Sequence, residues 1–241
     1  MPRRILLVLT VNLLVVLGMV YSTFAQQSAP ETTKAGAKGA KKGPARPPLF
    51  FREEWKNAPG AGEHAITPDA VANPNLELKT YGGKAIQLSG AAGDENDPLH
   101  PWNGLCETAC AVALRDKENY VDLTGLAKIR WNTKVSGFHK VHPIVKLADG
   151  TWLVGDHADG STADWHVGEF SISEVRWLRL DIEKVQTKGN FVEKPDLSKV
   201  DEVGFTDLMP GSGHGPGGWS DVAQIEVYGK PVKRDAGGAG Q

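Results

Sequence analysis

The sequence predicts an all-β sandwich, and three observations carry that prediction. Apolar and polar residues alternate with a period of two over much of the chain. Turns rich in Gly, Pro and Asp recur between the alternating runs. Scarcely any segment shows the 3.6-residue period of a helix, so the pattern reads as about ten short strands with one short N-terminal helix.

Taken in order, LFFREEW (Leu49 to Trp55) reads as an edge strand closing the domain. Thr67-Pro68-Asp69 supplies an N-cap, a Pro at N1 and an acid in the first turn, which predicts a short helix to about Ala72, stopped by Pro74. Leu76 to Tyr81 and Lys84 to Ser89 alternate around Gly82-Gly83, a hairpin signal. Ala91 to Gly104 reads as a loop, and Cys110 to Leu114 and Tyr120 to Leu123 as short strands.

Alternation is clearest from Leu126 to Val185, which reads as four successive strands: AKIRWNTKV, FHKVHPIVKL, TWLVGDH and RWLRLDIEKV, with DWHVGEF between the last two. In the first, Ala127, Ile129, Trp131 and Val135 share the core face. In the second, Val141, Val145 and Leu147 oppose Lys140, His142 and Lys146, and Pro143 predicts an edge or a bulge because it donates nothing to a ladder. In the last, Leu178, Leu180 and Ile182 are expected in the core, with Trp177, Arg179 and Asp181 outside. Asp201 to Phe205 and Val222 to Tyr228 add two strands, separated by the Gly-rich Pro210 to Gly218.

The ends differ in composition. Arg3 and Arg4, the apolar run Ile5 to Val20 and the small-x-small site Thr23-Phe24-Ala25 predict an export signal over residues 1–25. Its removal takes two Arg and no acid, moving the formal charge from −2 to −4, a mildly acidic balance that argues against nucleic acid as partner. Residues 26–48 are Ala, Gly, Pro and Lys and predict a disordered linker, and 232–241 a flexible tail. What remains, 49–231, suits one sandwich domain with no further membrane span, placed outside the cytoplasm.

Two cysteines, Cys106 and Cys110, sit in CETAC. In extended chain their Cα atoms would lie roughly 13 Å apart, so a disulfide requires a turn through Glu107-Thr108-Ala109, and two buried thiols are the alternative.

The Asp149-Gly150 dipeptide is a hairpin signal. With those two residues at the centre, Leu147 faces Trp152, Val145 faces Val154 and His142 faces His157. Pairing His157 with His166 would complete a row His142, His157, His166 within reach of one transition-metal ion. Asp156, Asp159 and Asp164 could supply oxygens to calcium, as could Asp94, Glu95 and Asp97, although turn-forming Asp is the commoner use. The segment Gly211 to Gly218 lacks the Lys-Ser/Thr ending of a phosphate loop and leads into a strand. It reads as a loop at one end of the sandwich where His214 and Trp219 could line a site. No Gly-x-Ser-x-Gly nucleophile elbow occurs.

The order YVDLTGLAKIRW (Tyr120 to Trp131), Phe170, Trp177 before an alternating strand, DLSKVDEVGF (Asp196 to Phe205) and IEVYG (Ile225 to Gly229) resembles the galactose-binding-like jelly-roll superfamily. That superfamily includes carbohydrate-binding modules and the domain of complex I intermediate-associated proteins. The likeness covers Asn119 to Gly229, and the chain also resembles secreted bacterial proteins. It implies a two-sheet jelly-roll, often with a structural calcium, commonly binding sugars. Asp221 to Glu226 stands where an Ile-Asp-Asp-Ile-like piece is typical of the superfamily.

Three functional expectations follow. The first is a non-catalytic exported module binding carbohydrate through Trp177, Arg179, Asp181, Trp165, His214 and Trp219, aromatic faces stacking on sugar rings while polar neighbours bond hydroxyls. The second is a metal-dependent hydrolase or lyase using His142, His157 and His166. The third is a structural interaction domain for a cell-envelope component.

Overall fold

The computed structural model describes residues 45–57, 65–83, 86–212 and 217–234. The expected export signal, most of the expected linker and most of the expected tail lie outside them. Among the described residues the chain forms fifteen strands: β1 (Leu49–Glu53), β2 (Leu76–Gly82), β3 (Gln87–Ser89), β4 (His100–Trp102), β5 (Cys110–Asp116), β6 (Asn119–Asp122), β7 (Lys128–Val135), β8 (His142–Leu147), β9 (Trp152–Gly155), β10 (His166–Ser171), β11 (Trp177–Asp181), β12 (Gln186–Val192), β13 (Val200–Asp207), β14 (Ser220–Tyr228) and β15 (Lys230–Lys233). No helix among them is long and apolar enough to cross a membrane.

Two antiparallel sheets form the jelly-roll sandwich. The smaller runs β10-β7-β14-β4-β3, with β1 also paired to β14. The larger runs β12-β11-β9-β8-β13-β5-β2, with β6 joining β13 to β15. Between the sheets, Ile129, Trp131 and Val135 of β7 and Val222, Ile225 and Val227 of β14 share one apolar core with Val112 and Leu114 of β5, Val145 of β8 and Val203 and Phe205 of β13. The alternation of β7 is as read from the sequence, its buried residues falling at every second position.

Several local expectations change. The predicted N-terminal helix is a single 3-10 turn, Pro68–Ala70. Val71 N closes that turn on Pro68 O, and the two amides after it, Ala72 N and Asn73 N, donate at 2.7 and 3.0 Å to the carboxylate of buried Glu53 instead of continuing a helix. The predicted hairpin around Gly82-Gly83 is a crossing between sheets, since β2 pairs with β5 and β3 pairs with β4. Gly82 makes the crossing possible: its φ is 73°, and a Cβ there would meet Ala109 O at 2.1 Å. The stretch expected to be loop from Ala91 to Gly104 contains β4. Cys106 and Cys110 are joined by a disulfide, with Cα atoms 6.2 Å apart.

The β8–β9 hairpin slips by one residue from its predicted register. Lys146 pairs with Trp152, Val145 with Leu153 and Ile144 with Val154. The connection is a three-residue loop closed by Leu147 N donating to Thr151 O at 2.8 Å, with Gly150 at φ 88°. A slip of one residue sends every side chain of β9 to the opposite face. Leu153 therefore enters the main core, while Trp152 and Val154 join Ile144, Ala111, Ala113 and Leu180 in a second apolar cluster on the outer face of the larger sheet. Pro143 lies inside the sheet, paired with Phe205 of β13, while β9 stops pairing one residue short of it.

That second cluster inverts β11. Leu178 and Leu180 pack into it, and Trp177, expected at the surface, enters the main core at 2 % exposure.

Candidate functional site

The expected metal row does not form. His166 pairs with Thr133 of β7 in the smaller sheet, whereas His142 belongs to β8 in the larger. The His142 ring donates from Nδ1 to Gly155 O at 3.1 Å, and burial lowers its pKa. His157 stacks on Phe170 with ring centroids 3.8 Å apart. The loop aspartates have separate partners: Asp156 takes the Arg176 guanidinium at 2.7 Å and Asp159 the Trp131 indole N–H at 2.6 Å. Among the described residues no three His, Cys, Asp or Glu side chains gather to hold a metal ion.

The expected ligand residues also scatter. Trp177 is core. Arg179 is exposed on β11 and Asp181 pairs with Lys188 at 2.7 Å, both in the larger sheet. His214 lies outside the described residues. Trp165 and Trp219 remain, and the structure brings them to one place.

That place is a cavity of about 170 Å³ at one end of the smaller sheet, lined by Ser89 of β3, His100 and Trp102 of β4, Lys134 of β7, Trp219 just before β14, Asp221 of β14, and Asp97. The pairs His100/Trp102 and Trp219/Asp221 are each two residues apart, the spacing that puts both side chains on one face of a strand. The loop before β4 borders it. Ala91 N donates to Asp97 O at 2.9 Å, and Asp94 takes the amides of Asn96 and Asp97 at 2.9 and 3.3 Å. Asp94 is thus a turn-forming aspartate. Trp165 reaches this loop from the strand edge: its Nε1 donates to Asn96 O at 3.1 Å, and its ring centroid lies 5.1 Å from that of His100. Lys134 Nζ sits 5.8 Å over the Trp165 ring and 4.0 Å from Asp164.

Two buried polar groups face each other here. His100 Nδ1 is 2.7 Å from Pro98 O, and a carbonyl only accepts, so Nδ1 carries the hydrogen and Nε2 is the free ring nitrogen. Asp221 Oδ2 accepts from Trp219 Nε1 at 3.1 Å. Its Oδ1 is buried with no hydrogen-bond partner among the described residues and lies 3.7 Å from His100 Nε2, beyond direct bonding. Burial is the main influence on both. It pushes the Asp221 carboxyl up to about 8 and holds the His100 imidazole below its ordinary value. At neutral pH both are mostly uncharged.

Sequence reasoning missed His100, Trp102, Lys134 and Asp221. His-Pro-Trp at 100–102 and Trp-Ser-Asp at 219–221 carried the period-two signal, but only the pairing of β4 with β14, through Asp221 and Trp102, shows that they meet.

No protein family and no curated protein matches the chain. Among solved structures it is similar to the family 11 carbohydrate-binding module of the cellulosomal cellulase Lic26A-Cel5E of Clostridium thermocellum, at 17% identity and TM-score 0.42, covering 71% of this chain and 96% of that one. It is also similar to TmCBM61, described in complex with β-1,4-galactotriose, at 12% identity and TM-score 0.36, covering 65% and 89%. The Emp47p carbohydrate recognition domain is similar at 8% identity and TM-score 0.35, covering 66% and 90%. At such identities and scores the likeness decides neither ligand nor site.

Proposed function

We propose that the cavity between Trp219, Trp102 and His100 binds a saccharide, and that the protein is an exported carbohydrate-binding module. One observation carries the reading: indole side chains surround two buried polar groups that are uncharged at neutral pH. Sugar rings present C–H faces that pack on aromatic rings and hydroxyls that need both donors and acceptors. A neutral acid beside a neutral imidazole supplies those without attracting an ion. The cavity is smaller than the roughly 300–1,000 Å³ of drug-sized pockets, so it suits one sugar unit or its hydroxyl edge.

The test is a glycan array followed by affinity electrophoresis, with Trp165→Ala and Trp219→Ala checked for folding by circular dichroism. Each substitution is expected to weaken retention by about tenfold, ~1.4 kcal/mol. The proposal fails if no glycan is retained, or if both variants bind like the wild type.

A further inference from the structure

Resting on that saccharide reading, we propose that one ligand hydroxyl bridges His100 and Asp221 only while the pair holds a single titratable proton, so that the ligand is released both when a second proton is added and when that one is lost. The geometry behind this is the 3.7 Å gap between His100 Nε2 and Asp221 Oδ1. It is too wide for a direct hydrogen bond of about 2.7–3.2 Å, and narrow enough for one oxygen to contact both sides.

The other atoms of both groups are committed. His100 Nδ1 is held by Pro98 O, and Asp221 Oδ2 by the Trp219 indole. Nε2 and Oδ1 are the two atoms that flank the gap, in a cavity that Ser89 and Lys134 also line. With one proton there, one side donates and the other accepts, whichever atom carries it. A hydroxyl has one hydrogen and two lone pairs, so it satisfies both sides at once. With two protons both sides donate and the hydroxyl hydrogen loses its acceptor. With none, both sides accept and the single hydrogen serves only one. A buried oxygen with no partner is itself unfavourable by about 1–3 kcal/mol, and an incoming hydroxyl relieves that.

Two charged side chains and one aromatic ring flank the pair among the described residues. Asp97 Oδ1, from the loop before β4, lies 3.9 Å from His100 Nδ1, on the side away from the gap. Lys134 of β7 opposes His100 protonation and favours Asp221 ionisation, while Asp97 acts in the opposite sense on both. Trp165 closes one flank of the imidazole with an uncharged ring. Burial outweighs these effects, which puts the acid limb below the ordinary imidazole value of 6.5 and the alkaline limb at about 8.

The experiment measures binding of cello-, laminari-, manno- and galacto-oligosaccharides by isothermal titration from about pH 5 to about pH 10. The expected profile is a bell, falling roughly tenfold for each pH unit beyond either limb. Asp221→Asn, which keeps a donor but cannot ionise, is expected to flatten the alkaline limb and leave the acid one. His100→Gln is expected to flatten the acid limb. In the free wild-type protein, the Trp219 indole N–H resonance is expected to report an ionisation near pH 8, which tests the Asp221 side even if a variant misfolds. Binding at neutral pH with a flat profile, limbs that survive both substitutions, or an indole resonance with no inflection would each overturn the proton gate while leaving the binding site standing. No binding at any pH would overturn the site itself.

Discussion

Trp177 offers the sharpest test of how this chain is layered. Sequence alternation puts it outside, whereas the structure buries it in the main core at 2 % exposure. A buried Trp removes about 200 Å² from water, which at ~25 cal/mol/Å² amounts to about 5 kcal/mol. Trp177→Ala is therefore expected to destabilise the fold by about 3–5 kcal/mol once partial collapse of the cavity is allowed for. The indole N–H has no hydrogen-bond partner among the described residues, a burial cost of about 1–3 kcal/mol that Trp177→Phe relieves. That variant is expected to lose less than about 1.5 kcal/mol, because the smaller ring gives up area but also sheds the unpaired donor. Urea unfolding followed by far-ultraviolet circular dichroism measures both, and saccharide retention per folded molecule is expected to stay unchanged. An alanine variant within about 1 kcal/mol of wild type that has lost saccharide retention would place Trp177 at the surface and refute the layering. A Phe variant as unstable as the Ala one would refute the role given to the N–H.

Further predictions concern buried acids and the disulfide. Because burial pushes the folded Asp221 carboxyl up to about 8 from the ordinary 3.8 of an aspartate, the native state holds a proton that the unfolded chain releases, and stability falls as pH rises through that window. Asp221→Asn is expected to be nearly neutral at the acid end and stabilising by a few kcal/mol at the alkaline end, read from urea midpoints across that range. Glu53→Ala leaves the amides of Trp55, Ala72 and Asn73 without their acceptor. It is expected to cost about 3 kcal/mol or more in the same assay. Replacing both Cys106 and Cys110 by Ser opens a five-residue loop, for which chain entropy gives about 2 kcal/mol, seen as a lower thermal midpoint.

Much of the fold was legible because it rests on local periodicity. The β7 strand needs only its own side chains to declare a buried face, and Ala127, Ile129, Trp131 and Val135 are all buried. The errors arise where a second surface or a turn decides. Reading β11 as one-sided put Leu178 and Leu180 in the core, yet the larger sheet has apolar packing on both faces, and periodicity alone cannot rank two apolar faces. The Asp149-Gly150 signal correctly marked a hairpin but not the loop length. One extra loop residue dissolved the predicted His142–His157 pairing. The site was the least legible part. It is assembled from β3, β4 and the loop before it, β7, the start of β14 and Trp165 just before β10, so no window of sequence contains it.

Compared with the other buried acids, Asp221 stands apart, in keeping with the binding role proposed for it. Glu53 serves three backbone amides. Glu202 is held by Lys79, Lys146 and the Tyr81 hydroxyl. Asp207 binds His139, Asn103 and the Met209 amide, tying loops together at one end of the sandwich. Glu226 accepts from Tyr228 and faces Arg52 and Arg130. In each case the interactions that hold the acid also explain why it is buried. Asp221 alone among these five has a carboxyl oxygen without a partner among the described residues, and that oxygen borders a cavity walled by tryptophan. A fold needing only stability would be better served there by Asn or an apolar side chain. On the proposed saccharide reading, the unsatisfied oxygen would gain its hydrogen bond from the ligand, and the instability it brings to the free protein would become part of the affinity.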